Sequence, residues 1–348
     1  MRASTVAAAA LGPLLWVSSA AASQSPKRGL VYTPNENWPA DDAIWSNKTS
    51  GLTWYYNFGW NASSAYAAIP QSQFEFVPMM WGAGSPNGTD TYFLGNITAT
   101  IKKAERNITH VLSFSQPDQP FTNGGSEMKP LVAARAWVGN AVPLREMGIK
   151  VGLPMVGDPY SWLDQFRKNC TMLLTKAKGG KETECEFDFV PLTSYGNFSV
   201  LSSRIGMFAA ALPDIPIWVT EFGYNNQELN VTQTFFNESI AYLDKTKIVE
   251  RYAWFGAFRS VVSNVGPNQA MLDPYGELTD IGAWYLGENG TGTVALPTDG
   301  TGSNNSCTAD NPCGGAKNAG ESLMGESSLM TWRWAGLCLL HLVVMASL

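Results

Sequence analysis

Eight short runs of β-branched, aliphatic and aromatic residues recur along the chain, each leaving room for a helix before the next begins. They are 29–34, 52–59, 74–82, 109–115, 150–157, 187–196, 216–223 and 251–258. Between several of them, at 128–148, 198–213 and 231–247, apolar residues fall at three- and four-residue spacing, the period of a helix with one buried face. Strands that alternate with helices pair in parallel, and eight such units in about 260 residues predict a (β/α)8 TIM barrel over 28–288. The competing architecture, an open doubly wound sheet, lacks its Gly-x-Gly-x-x-Gly turn after the first run.

The two ends read differently from the middle. Arg2, an apolar stretch from Val6 to Val17 and the small residues Ala20 to Ala22 have the order of a secretory signal peptide over 1–22. The stretch is shorter than the ~20 residues that span a bilayer. At the other end, Asn318, Ala319 and Gly320 precede a polar spacer and an apolar tail, the order of a GPI-attachment signal over 320–348 that is removed on processing. Arg333 and His341 depart from that pattern, and a retained C-terminal anchor is the alternative. Residues 289–319, rich in Gly, Ser, Thr and Asn, read as a stalk. The expectation is a secreted, monomeric protein of the cell surface or cell wall, held to membrane only through a GPI anchor.

Cysteine usage agrees with an oxidising compartment. With Cys338 in the tail, Cys170, Cys185, Cys307 and Cys313 remain, an even set. Sequence order favours Cys170–Cys185 and Cys307–Cys313, although order alone leaves connectivity open. No Cys/His spacing suggests zinc, and no cofactor is expected. Asn-x-Ser/Thr sites at Asn47, Asn61, Asn87, Asn96, Asn107, Asn169, Asn197, Asn230, Asn237, Asn289 and Asn304 mark positions that must face solvent in a glycosylated chain.

Charge and histidine content narrow the chemistry. The formal net charge of -6, without a dense Lys/Arg run, lacks the footprint of a nucleic-acid binder. Of two histidines, His341 lies in the tail, and His110 lies near the N-terminal end of its strand, where barrel residues serve stability. A Ser-His-Asp triad or a histidine metal site is therefore unsupported. Carboxylate chemistry is left. Along 216–223, alternation places Ile217, Val219 and Glu221 on one face, with Glu221 at the C-terminal rim where barrel active sites form. A helix-capping or Arg-paired glutamate fits the same position. Aromatic residues gather at these strand ends: Tyr56, Trp60, Trp81, Tyr195, Phe222, Tyr224, Trp254 and Phe255. Flat rings suit the apolar faces of sugars; Phe255 reads as core.

Five motifs in order, Asn57–Asn61 (NFGWN), Glu75–Gly82 (EFVPMMWG), Pro216–Gly223 (PIWVTEFG), Glu250–Phe258 (ERYAWFGAF) and Leu272–Tyr285 (LDPYGELTDIGAWY), together resemble the fungal branch of glycoside hydrolase family 128, the alkali-sensitive-linkage-like cell-wall family. The resemblance extends over almost all of 28–286. It implies a (β/α)8 barrel acting on β-1,3-glucan by the retaining mechanism, with Glu221 as nucleophile. It also implies an acid/base Glu in an Asn-Glu-Pro motif after the fourth strand, where this chain has Ser115-Gln116-Pro117. A second departure is Thr193-Ser194 before Tyr195, where the family has His-Trp.

A retaining glycosidase needs two carboxyl groups about 5–5.5 Å apart. Gln accepts and donates hydrogen bonds but has no titratable proton, and general acid catalysis contributes roughly 10²–10⁴-fold. The resemblance, taken with Gln116, therefore implies a binder of β-1,3-glucan or its oligosaccharides with hydrolysis lost or strongly impaired. Tyr56, Trp60, Trp81, Ser115, Tyr195, Tyr224 and Trp254 are its candidate contacts. An active or slow hydrolase using Glu221 and a substitute acid such as Asp118, and a structural wall mannoprotein, are the alternatives.

Overall fold

The computed structural model describes residues 25–47, 50–103, 106–156 and 160–295. The segments expected as signal peptide and GPI signal, most of the expected stalk, Cys307 and Cys313 lie outside the described residues. The elements in chain order are β1 (Arg28–Val31), α1 (Asp42–Trp45), β2 (Trp54–Tyr56), β3 (Glu75–Phe76), α2 (Tyr92–Lys102), β4 (His110–Val111), α3 (Pro130–Glu146), β5 (Lys150–Val151), α4 (Ser161–Ala177), β6 (Val190–Tyr195), α5 (Phe198–Ala211), β7 (Ile217–Gly223), α6 (Leu229–Lys245), β8 (Val249–Trp254) and α7 (Asp280–Tyr285).

All strands pair in parallel. Six form a sheet in the order β3-β2-β1-β8-β7-β6, and β4 pairs with β5. Two bridges join these pieces into a ring: Met79↔Leu112 links the continuation of β3 to that of β4, and Gly152↔Phe189 links β5 to β6. Backbone bonds from Met80 N to Leu112 O and from Leu153 N to Phe189 O, at 2.9 and 3.0 Å, fix the two seams. This is the closed barrel that the alternating runs predict. One unit departs from the ideal: β2 and β3 are connected by a single 3-10 turn, Ser64–Tyr66, with no α-helix.

The strands carry two apolar surfaces. Leu30, Tyr55, Phe76, Val111, Val219 and Tyr252 pack outward against the helices. Val31, Trp54, Val77, Met79, Leu112, Met155, Phe189 and Trp218 fill the barrel. Gly29 makes room for this filling, because a Cβ there would collide with the Trp54 ring. At the N-terminal end, Arg251 lies 4.2 Å over the Trp218 ring and donates to Glu75 Oε2 at 2.7 Å. His110 Nδ1 meets Glu75 Oε1 at 3.3 Å. His110 thus serves the plug of the barrel floor, the structural role read from its place in β4.

First and last units are tied together. Arg28, buried in β1, bonds the Tyr252 hydroxyl and the Tyr285 carbonyl, and Arg259 holds Asp41 through two bonds of 2.7 and 2.8 Å. Cys170 of α4 is bonded to Cys185, as sequence order favours. No helix among the described residues is long and apolar enough to cross a membrane.

Candidate functional site

Strand β7 does not follow simple alternation. Ile217 and Val219 face the helices while Trp218 faces the barrel interior, so the expected shared face of Ile217, Val219 and Glu221 is wrong. The register explains how Glu221 nevertheless enters the barrel mouth. Leu192 pairs with Val219, but the next residue, Thr193, pairs with Glu221, which leaves Thr220 as an extra residue. This bulge turns both side chains inward: Thr220 Oγ1 reaches Met155 Sδ and the Leu192 carbonyl, and Glu221 meets Tyr56 and Tyr195. Bulges commonly re-aim a side chain beside a site.

Glu221 is 8% exposed. The Tyr195 hydroxyl donates to its Oε2 at 2.7 Å and the Tyr56 hydroxyl to its Oε1 at 2.9 Å. Burial pushes the carboxyl above its ordinary range, and the two hydroxyls pull it part of the way back. Burial and the adjacent carboxylate push both phenols well up, so they stay neutral donors. The result is an acceptor with fixed geometry, surrounded by groups that hold their protons.

Gln116 stands on the loop after β4. Its Nε2 donates to Thr193 Oγ1 at 3.2 Å, and Thr193 is the register partner of Glu221. The amide is therefore anchored one residue pair from the carboxylate. Its backbone sits at φ 39°, a left-handed conformation that costs a non-glycine residue energy and persists only where the surroundings enforce it. They do so here. Gln119 N bonds the Gln116 carbonyl and Ser126 N the Ser115 carbonyl, both at 3.0 Å, and Gly125 packs so closely that a Cβ would strike the carbonyls of Gln116 and Gln119. Asp118, the candidate substitute acid, is half-buried on the same loop and accepts from Gln119 Nε2 at 3.4 Å.

The expected contacts divide by the side of the sheet they occupy. Tyr56, Ser115, Trp81 and Tyr195 belong to the mouth. Tyr56 is fully buried against Phe58, so it orients Glu221 and offers no face for stacking, which corrects its reading as a sugar platform. Ser115 is buried and held by its backbone to Trp81 and Ser126. Trp81 is half-buried, and its ring stacks with Phe121 at 6.0 Å. Trp60 lies edge-on to Tyr92 against the outer shell. Trp254 is 0% exposed, packed on Phe222 and Phe236, with its indole N–H donating to the Gln269 carbonyl. It has no exposed surface to offer a ligand; closeness to a strand end sets height in the barrel, whereas parity sets the side, and Trp254 has outward parity. Tyr224 packs edge-on to Phe235 of α6 and lines a depression on the outside of the barrel. Phe255 is buried, as read, with its ring edge-on to Tyr195 at 5.9 Å.

Three mouth residues were not singled out as site residues from the sequence. Thr193 was visible only as a departure from a family motif. Phe58, at φ 60°, and Phe121, 48% exposed on Trp81, carry no signal in hydrophobic pattern. The assembled group brings one buried carboxylate, two phenol hydroxyls and the Gln116 amide together beside half-buried rings.

A family model described as Glycosyl hydrolase catalytic core matches residues 29–285. Alkali-sensitive linkage protein 1 of Schizosaccharomyces pombe (strain 972 / ATCC 24843) is 29% identical over 274 residues, 76% of this chain and 45% of that protein, so the chain spans less than half the length of that curated relative. A solved subgroup II endo-β-1,3-glucanase of family 128 from Pseudomonas viridiflava superposes with TM-score 0.59 at 24% identity, covering 77% of this chain and 99% of that one. A subgroup VII oligosaccharide-binding protein of family 128 from Trichoderma gamsii superposes with TM-score 0.54 at 18% identity, covering 75% and 92%. At these identities the superpositions speak for the fold.

Proposed function

The chain belongs to the glycosyl hydrolase catalytic core family, and from that premise we propose that it binds β-1,3-glucan or its oligosaccharides at the mouth around Glu221 and hydrolyses them weakly or not at all. Residue 116 carries the reading: an amide, tied to Thr193, stands where the family resemblance puts the proton donor. Protonation of the leaving oxygen is the step that an amide cannot perform. Binding asks less of the site. Sugar hydroxyls donate to Glu221, the Gln116 amide offers both a donor and an acceptor, and the exposed parts of Trp81 and Phe121 supply apolar surface for a pyranose face. The existence of an oligosaccharide-binding relative with this fold supports the same reading.

We further propose that the protein is secreted and glycosylated and works at the cell surface or wall as a monomer, held to membrane only by a GPI anchor. The N-terminal segment, the tail and the abundance of Asn-x-Ser/Thr sites support this. Of the ten such asparagines among the described residues, eight are exposed, as attachment requires, and Asn96 and Asn169 are half-buried.

Calorimetric titration of laminari-oligosaccharides into the purified protein tests the binding reading. Saturable binding is expected, weakened about tenfold or more in Trp81→Ala, since covering a large apolar side chain contributes about 1.5–3 kcal/mol. Absence of saturable binding would refute it.

A further inference from the structure

Between α5 and α6 the outer surface opens into a depression of about 350 Å³, at the small end of ligand-site volumes. Phe198, Tyr224 and Phe235 supply aromatic surface, and Ser199, Thr234 and Glu238 supply polar groups. Two further lining residues, Asn197 and Asn230, each open an Asn-x-Ser/Thr sequence, Asn197-Phe198-Ser199 and Asn230-Val231-Thr232. Both are exposed.

We propose that Asn197 carries an N-linked glycan whose first N-acetylglucosamine lies in this depression against Tyr224 and Phe198. The asparagine is prepared for that role. Its Oδ1 accepts from Val200 N at 3.1 Å as the cap of α5, so the cap already orders the side chain and only the bond to the sugar remains to be fixed. Its Nδ2, the atom of attachment, donates to no described residue, whereas Nδ2 of Asn96 is committed to the Tyr92 carbonyl at 2.8 Å. Phe198 and Tyr224 are half-buried, and a pyranose face laid on them covers apolar surface that the fold leaves in water. This accounts for Tyr224, an aromatic residue at a strand end that does not belong to the mouth.

The transfer is made by the host on the extended chain. Nδ2 attacks the anomeric carbon of an oligosaccharide linked to a lipid pyrophosphate; the C1–O bond breaks with its electron pair leaving on the pyrophosphate, and one amide proton is released. The inference rests on the secretion part of the proposed function.

The test uses the full chain expressed in a eukaryotic secretory host. Glycopeptide mass spectrometry reads occupancy at Asn197, and thermal melting compares the native form, the form trimmed enzymatically to one N-acetylglucosamine per site, and Ser199→Ala, which abolishes the acceptor sequence but keeps the Asn197 cap. The proposal expects occupancy, an unchanged melting temperature after trimming, and a fall of about 2 °C or more in Ser199→Ala. It also expects Tyr224→Ala to cost less in the Ser199→Ala background than in wild type. An unoccupied Asn197 beside occupied sites elsewhere, or strictly additive effects of the two substitutions, would overturn it. A chain that bears no glycan at any site would overturn the secretion reading as well.

Discussion

Gln and Glu are close to isosteric, and at position 116 the difference between them lies in one transferable proton. The left-handed backbone at Gln116 and the close packing of Gly125 fix the path of the loop, and the hydrogen bond to Thr193 holds the amide itself. Glu221 is held as firmly, by Tyr56 and Tyr195. If its carboxylate accepts from sugar hydroxyls, binding must weaken as pH falls through its titration. Burial raises that titration and the Tyr195 hydroxyl lowers it, so Tyr195→Phe is expected to move the acid limb of oligosaccharide binding to higher pH. Titrations of wild type and variant across a pH series check this; an unmoved limb would mean that the carboxylate does not carry the binding.

At the scale of elements, the strands were legible and their faces less so. Each of the eight strands lies within or against a run picked out by composition, because a barrel strand is covered on both sides and reads as continuous apolar sequence. The same continuity hides parity. Trp254 and Tyr56 both sit near strand ends, yet one packs outward and the other inward, and nothing in composition separates them. The bulge at Thr220 breaks alternation at the position that matters most, by pairing geometry that the residue types do not announce. Helix α4 was recoverable in principle, since Leu163, Phe166, Cys170 and Leu174 repeat at three and four. The missing helix after β2 fits a short segment, 60–69, closed in by Gly59 and Pro70. The floor of the barrel yields its own prediction. Burial alone would push the Glu75 carboxyl up, but His110 and Arg251 outweigh it and hold it at about 2, against 4.5 for an ordinary Glu. A depressed carboxyl contributes stability that is fully present above its unfolded value and is lost as pH falls toward the folded one. Glu75→Gln should therefore destabilise the protein by about 3 kcal/mol at neutral pH, with the deficit shrinking below pH 4.5 and nearly gone at about 2. Chemical denaturation at a series of pH values measures it; a deficit independent of pH would contradict the ion-pair account.

For the whole molecule, a net charge of -6 and a neutral ligand leave little room for electrostatic attraction over distance. Oligosaccharide affinity is accordingly expected to be nearly constant from low to high ionic strength, because hydrogen bonds and ring contacts at a half-buried mouth are weakly screened; a steep loss with salt would point to a charged ligand instead. The chain has the fold of its family, and in the proposed reading one side chain on one loop, Gln116, decides whether the mouth cuts as well as binds. The most direct measurement is sugar release from laminarin by wild type and by Gln116→Glu, with oligosaccharide binding followed in the same preparations. Both proteins are expected to bind, wild type to release little or no sugar, and Gln116→Glu to raise release by roughly 10²-fold or more. Wild-type hydrolysis at a rate that Gln116→Glu does not improve would contradict that reading.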